Sequence, residues 1–244
     1  MEYRGPLPDI EIPDVSLYDL LFGGLTEADA ARTAVLDHAS GVRLTMGQVQ
    51  AQTDSFATWL AAEGIPFRRH PLLPEALALL IETDIASSAL HEAGAFEIQD
   101  IGSQLILALA RPQPGTRWLD ACAGAGGKSL QLARLLGPAG NVEATDIRPA
   151  ALGELKSRAT RAGLANVTIL AAPPARNRLY DAVLVDAPCS GSGTWRRSPH
   201  LRWQTTAADI HRQYERQLSI LSQNAVQVRP GGRLVYATCS LART

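Results

Sequence analysis

Cys189 and Cys239 are the residues best placed to do chemistry. Cys189 follows the apolar run DAVLV in DAVLVDAPCSGSGTWRRSPHLRW, and Cys239 closes GGRLVYATCS. Each thiol therefore stands where a short strand gives out, and each is followed by serine. In a doubly wound sheet the carboxyl ends of the parallel strands line one crevice, which places both thiols and Asp186 at one site. A third feature belongs to that crevice. The segment RWLDACAGAGGKSLQLARLL sets a strand, a loop with Gly124, Gly126 and Gly127, and a helix start in direct succession. Glycines let backbone approach a ligand closely, and a helix N-terminus presents unpaired N–H groups.

The loop is selective. A phosphate-binding GxxxxGK[ST] loop needs glycine where Cys122 stands, and a GxGxxG dinucleotide loop needs glycine where Ser129 stands. S-adenosyl-L-methionine carries no phosphate, and it suits a loop that curves around an amino-acid moiety, with an acidic residue ending the next strand to accept the ribose hydroxyls. Asp146 ends VEATD at that position. Capping of the helix that begins near Pro149 is its alternative role, and the two can coexist. The thiols then point to a reaction. Cytosine C5 is a poor nucleophile, so a thiolate must first add at C6 before C5 can take a methyl group from a sulfonium. Such a site needs a cysteine with a lowered pKa, an acidic group at the base edge and a pocket for an extruded base. Beside Cys189, the cations Arg196, Arg197, His200 and Arg202 are flanked by Trp195 and Trp203, a mixture that suits phosphate contacts and stacking of unpaired bases.

These residues need a scaffold, and the sequence provides one from residue 97 onward. Short apolar runs alternate with amphipathic stretches, which predicts a mainly parallel sheet with helical crossovers, an α/β architecture. The expected strands are 117–120, 141–145, 167–170, 181–186 and 233–238, and the expected helices 101–110, 128–136, 149–162 and 207–228. Residues 65–96 read as a connector with one helix. Residues 1–64 read as a small α+β appendage: an apolar helix near 15–22, strands at 34–36 and 42–44, and a helix capped by Thr45, striped by Val49, Phe56, Trp59 and Leu60 and stopped by Gly64.

Composition sets the outer limits. The 244 residues are 46% hydrophobic with 23 basic and 24 acidic side chains, which excludes fibrous and disordered classes. Residues 1–64 carry ten acidic and three basic groups, and the remainder is net positive, which allows an anionic partner such as RNA. Cys122, Cys189 and Cys239 are odd in number and lack CxxC spacing, which argues against a disulfide framework or a zinc site. Neither a membrane-length apolar run nor a secretory leader is present, so the expected location is cytoplasmic.

Four blocks in order, AFEIQDIGSQ, DACAGAGGKS, DAPCSGSGTWRRSPHLRW and LVYATCS, resemble the RsmB-type (Sun/Fmu) RNA cytosine-C5 methyltransferases over about residues 90–240. The resemblance implies a Rossmann-like class I methyltransferase sheet, S-adenosyl-L-methionine as cofactor and an RNA substrate, ribosomal rather than transfer. It implies that Cys239 attacks C6 and that Cys189 assists release. It also implies that Cys122, Ala123, Gly124, Ala125, Gly126, Gly127, Lys128, Asp146 and Asp186 contact the cofactor, with Asp186 near the target base as well. Two alternatives stay open: Cys189 as the nucleophile, and a catalytically inactive fragment that only binds cofactor or RNA. Family loops usually read CAAPGGK rather than CAGAGGK, and often carry an aspartate where Ala171–Pro174 follow Leu170. The resemblance also implies an acidic segment and final strands after the TCS block, so the expected sheet lacks its last strands, with an open edge at the fifth. Residues 1–64, containing IEIPDVSLYDLLFGG and LTMGQVQAQTDSFATWLAAEG, resemble the N-terminus of coumarate-type acyl-CoA ligases, although no Ser/Thr/Gly-rich phosphate loop follows.

Overall fold

A computed structural model describes residues 33–36, 43–45, 54, 56–71, 73–195 and 200–241. The chain divides into two compact units; of the described residues, 33–34 and those between 44 and 83 fall in the first, and 35–36, 43 and those between 84 and 241 in the second. Strands β1 (Thr33–Leu36) and β2 (Arg43–Thr45) form a two-stranded sheet, the second displaced by one residue from its expected place. The helix α1 covers residues 56–62; of the expected stripe Leu60 is buried and Phe56 and Trp59 are half-buried with their rings stacked 5.7 Å apart, while Ala57, outside that stripe, is buried too. It ends at Gly64, whose φ of +67° lets the Ile65 N–H reach back to the Leu60 carbonyl (2.8 Å). The expected helix near 15–22 and Val49 lie outside the described residues, whereas Thr45, expected to cap α1, is instead the last residue of β2.

The stretch read as a connector holds a hairpin. Strands β3 (Phe67–His70) and β4 (Leu73–Leu79) pair antiparallel, with Phe67 opposite Leu79 and a bulge at Arg69/His70. LPEALAL has helix-forming composition, and cross-strand pairing overrides it. A short helix α2 (Ala89–Glu92) follows, its N-terminus capped by the Ser88 hydroxyl.

The second unit carries the sheet. In chain order its elements are α3 (Ile101–Ala110), β5 (Arg117–Asp120), α4 (Gly127–Leu136), β6 (Asn141–Ala144), α5 (Pro149–Arg161), β7 (Val167–Ile169), β8 (Tyr180–Asp186), a 3₁₀ turn (Ser192–Thr194), α6 (Leu201–Gln204), α7 (Ala207–Ala225) and β9 (Val228–Ala237). The strands lie in the order β7-β6-β5-β8-β9, all parallel. The predicted α/β sheet is thus present, with strand order reversing between β5 and β8. Alternation along the strands supplies two buried faces. Trp118, Val142, Ala182 and Leu184 pack on Leu107 of α3 and Leu132 and Leu136 of α4, while Leu119, Val183 and Val185 pack toward Ile220 and Leu221 of α7. Helix α5 joins the α4 side through Leu152, Leu155 and Ala159.

The last boundary differs from expectation. The helix predicted to run to Val228 stops at Ala225, and β9 starts at Val228, five residues before its predicted start. RPGG interrupts its pairing: Tyr180 faces Val228 but Ala182 faces Arg233, so Arg229–Gly232 bulge outward. On this edge strand Leu234 and Tyr236 are 40% and 42% exposed. Among the described residues no helix is long and apolar enough to cross a membrane.

Candidate active site

The carboxyl ends of β5, β6, β8 and β9 hold every described residue expected to touch cofactor or base. After β5 the chain turns through Cys122, Ala123, Gly124 and Ala125 into α4, where Gly126 is the N-cap and Gly127 and Lys128 the first helical residues. Gly124 and Gly126 take φ of +54° and +89°, a region that side chains resist. A Cβ on Gly126 would stand 2.1 Å from Leu155 Cδ1, so α5 packs where a side chain would be. Three contacts fix the loop from outside: Ala123 N–H donates to the Thr145 carbonyl (3.0 Å), Gly124 N–H to Asp146 Oδ2 (2.8 Å), and Arg158 Nη1 to the Ala125 carbonyl (2.8 Å). Arg158 is held in turn by Glu97 (3.0 Å), which also pairs with Arg161. Gln99 Nε2 is buried without a hydrogen-bond partner among the described residues, 3.5 Å from where a Gly127 Cβ would stand.

Three carboxylates surround the loop. Asp146 is engaged at both oxygens: Oδ1 accepts from the Arg148 N–H and Nε (each 2.9 Å), and Oδ2 from Gly124 N–H and Arg148 Nη2 (3.1 Å). Burial raises its pKa, but these donors outweigh burial and hold it below the ordinary carboxylate value. It does not cap α5, whose N-cap is Arg148. Asp186 ends β8 and accepts from Lys128 Nζ (2.7 Å), which also donates to Ser103. Asp120, which the sequence reading passed over, is 1% exposed and accepts from the Ser129 hydroxyl (2.7 Å). Burial pushes it up to about 6, with Asp186 adding to the rise and the Ser129 bond opposing it. Burial first, then Asp120, Asp146 and Asp186, push the Cys122 thiol up to about 12, which keeps it protonated.

Cys189 and Cys239 meet. Their sulfurs lie 3.1 Å apart although the residues are 50 positions distant in sequence. The two cysteine loops are laced together: Gly193 N–H donates to the Cys239 carbonyl (2.8 Å), the Ser190 and Ser240 hydroxyls bond at 2.8 Å, and Leu241 N–H donates to Ser192 Oγ (2.7 Å). A Cβ on Gly193 would come within 2.7 Å of the Cys239 carbonyl oxygen, so glycine permits the closeness. Gln217, 3% exposed on α7, spans both exits, donating to the Pro188 carbonyl (2.8 Å) and accepting from the Tyr236 hydroxyl (2.8 Å). The thiols act as one titrating pair. The hydrogen bond from Cys239 pulls Cys189 down to about 5, helped by Thr238 and backbone N–H groups, and the same bond raises Cys239 above the ordinary thiol value, helped by burial and by Asp186.

Of the expected RNA contacts, His200 and Arg202 are exposed, and Arg202 lies over the Trp203 ring (5.6 Å), itself 83% exposed. Arg196 and Arg197 lie outside the described residues. Besides Asp120, the sequence reading missed Arg148, Gln99, the Glu97–Arg158 support and Gln217. Gln217 left a trace, as an amide at a helical spacing from Ile220, Leu221 and Asn224 that marks a packed face, and Glu97 and Gln99 stand in the AFEIQDIGSQ block without a role of their own being read there.

The 16S rRNA methyltransferase RsmB/F family matches residues 106–244. A probable ribosomal RNA small subunit methyltransferase B of Bacillus subtilis is 37% identical over 210 residues, covering 82% of this chain and 46% of that protein. A second, from Synechocystis, is 37% identical over 154 residues, covering 61% of this chain and 34% of the relative. The chain thus spans less than half the length of these curated relatives. A crystal structure of a methyltransferase homolog protein from Pyrococcus horikoshii superposes with a TM-score of 0.69 at 30% identity, covering 79% of this chain and 63% of that one. The Bacillus match is longer than the 180 residues after Gly64 can supply, so it reaches into the segment likened to coumarate-type ligases, a likeness that finds no support. The cofactor is S-adenosyl-L-methionine, and the site fits it: a loop with positive-φ glycines leads into the N-terminus of α4, and an unpartnered amide N–H of Gln99 lies beside it. Matching family, parallel sheet and laced cysteine exits together show that the chain belongs to the 16S rRNA methyltransferase RsmB/F family.

Proposed function

We propose that the chain carries the catalytic centre of an S-adenosyl-L-methionine-dependent RNA methyltransferase that modifies cytosine C5 in small-subunit ribosomal RNA. The observation that carries this reading is the 3.1 Å approach of the Cys189 and Cys239 sulfurs at adjacent strand exits. When bound, S-adenosyl-L-methionine supplies an electrophilic methyl group. Cys239 passes its proton to the Cys189 thiolate 3.1 Å away and adds to C6, and electron density reaches C5, which takes the methyl group. Asp186, steadied by Lys128, holds the amino edge of the base. After the C5 proton passes to water, the C6–S bond breaks with its electron pair returning to the Cys239 sulfur, and Cys189 assists that release. His200, Arg202 and Trp203, with Arg196 and Arg197, receive the RNA backbone and an unpaired base.

The substrate assignment follows from the relatives, which are named as small-subunit ribosomal RNA methyltransferases. A second reading has its own support: Cys189, the thiol pulled down to about 5, is the readier thiolate and can be the attacking group instead. The test of the function is transfer of labelled methyl from S-adenosyl-L-methionine to unmodified small-subunit rRNA. The label is expected at cytosine C5, and label on adenine or on protein contradicts the proposal.

A further inference from the structure

Attack by one thiol and release by the other do not require the two sulfurs to touch each other, yet the fold holds them 3.1 Å apart. We propose that Cys189 and Cys239 are also an oxidation site, closing to a reversible disulfide with a hydroperoxide and so switching the site off. The loss of activity rests on the function proposed above, whereas the disulfide does not.

The geometry is already near that of the bond. The sulfurs stand 3.1 Å apart and a disulfide needs about 2.05 Å, so small rotations of the two side chains are enough. The Ser190–Ser240, Gly193–Cys239 and Ser192–Leu241 hydrogen bonds keep the loops from drifting apart. Cys239 is exposed and Cys189 half-buried, so a small oxidant reaches them. The lowered pKa of Cys189 supplies the thiolate that peroxide requires, while Cys122, pushed up to about 12, stays reduced. The chemistry balances. The Cys189 thiolate attacks one oxygen of hydrogen peroxide, the O–O bond breaks, and a sulfenic acid and a hydroxide form, the hydroxide taking a proton from solvent to become water. The Cys239 sulfur then displaces the hydroxyl from sulfenylated Cys189, and its own proton leaves with that hydroxyl as a second water. The two thiols lose two electrons and the peroxide gains them. With both sulfurs tied, neither can add to a pyrimidine.

The experiment uses the full chain, reduced and then freed of reductant, titrated with hydrogen peroxide and read by thiol alkylation, intact mass and peptide mapping. The expected result is a fall from three alkylatable thiols to one, a mass lower by two hydrogens and a peptide joining Cys189 to Cys239, all reversed by dithiothreitol. Cys239→Ser should show no crosslink at the same peroxide dose. Methyl transfer should disappear with the crosslink and return with dithiothreitol. Three thiols still free, sulfinic acids without a crosslink, or a crosslinked chain that still transfers methyl would each overturn the proposal. A crosslink in a chain that shows no methyl transfer even when reduced supports the oxidation site and contradicts the function.

Discussion

At the residue scale the site is a set of charges whose neighbours decide their use. Asp146 is expected to accept the ribose hydroxyls, yet in this structure the exposed guanidinium of Arg148 occupies both oxygens. Ribose binding must therefore compete with an ion pair whose arginine is exposed while its carboxylate is only 6% exposed. Asp146→Ala should weaken S-adenosyl-L-methionine by about 1.5–3 kcal/mol, as expected for lost bonds to a charged group. Arg148→Ala should tighten it by up to about 1 kcal/mol. Calorimetry on the two variants checks this, and a looser Arg148→Ala complex would make the arginine a cofactor ligand instead. Asp120 gives a pH prediction. Its folded pKa of about 6 lies above the ordinary 3.8, so between those values the folded chain binds more protons than the unfolded one. Stability from this group is present below about 4 and falls as pH rises through 6, by on the order of 3 kcal/mol in all. Relative to Asp120→Asn, the wild type should lose stability across that window in urea titrations, and a pH-independent difference would remove the assignment. Cys122, Cys189, Cys239 and Asp146 were legible in sequence because strand ends and glycines mark their places. Arg148 and Gln99 were not, because only tertiary contacts make them part of the site.

At the element scale the sequence placed β5 and α3 without error, because a short apolar run before glycine, and an Asp100 cap before an apolar helix, are strong local signals. It misjudged the hairpin at β3 and β4 and the start of β9. LPEALAL carries no strand signal of its own, and RPGG reads as a turn although the strand resumes pairing beyond it. The glycine loop is where element packing and ligand space coincide. Gly126→Ala places a methyl group against Leu155 at a positive φ, which should cost about 1–3 kcal/mol of stability and move α5 against the loop. Thermal melts and cofactor binding on this variant should fall together. A variant that melts normally and binds normally would show that α5 yields without cost.

At the scale of the whole molecule the chain is two compact units divided near residue 83. Residues 80–82 are exposed, so a glutamate-specific protease should cut at Glu82 and release a sheet-bearing fragment beginning at Thr83 that keeps its helical circular dichroism. Resistance at Glu82 under conditions that degrade a denatured control would contradict the division. The Rossmann-like sheet was implied by the family resemblance, and the pattern of apolar runs alone reached no further than a mainly parallel α/β sheet. The central claim is that one of two touching thiols adds covalently to cytosine, and the most direct measurement is adduct trapping on denaturing gels with small-subunit rRNA and S-adenosyl-L-methionine. The account predicts a protein–RNA band that accumulates with Cys189→Ala and is absent with Cys239→Ala. The reverse pattern transfers the nucleophile to Cys189, and no band from either variant, with cofactor bound, contradicts covalent catalysis by this pair.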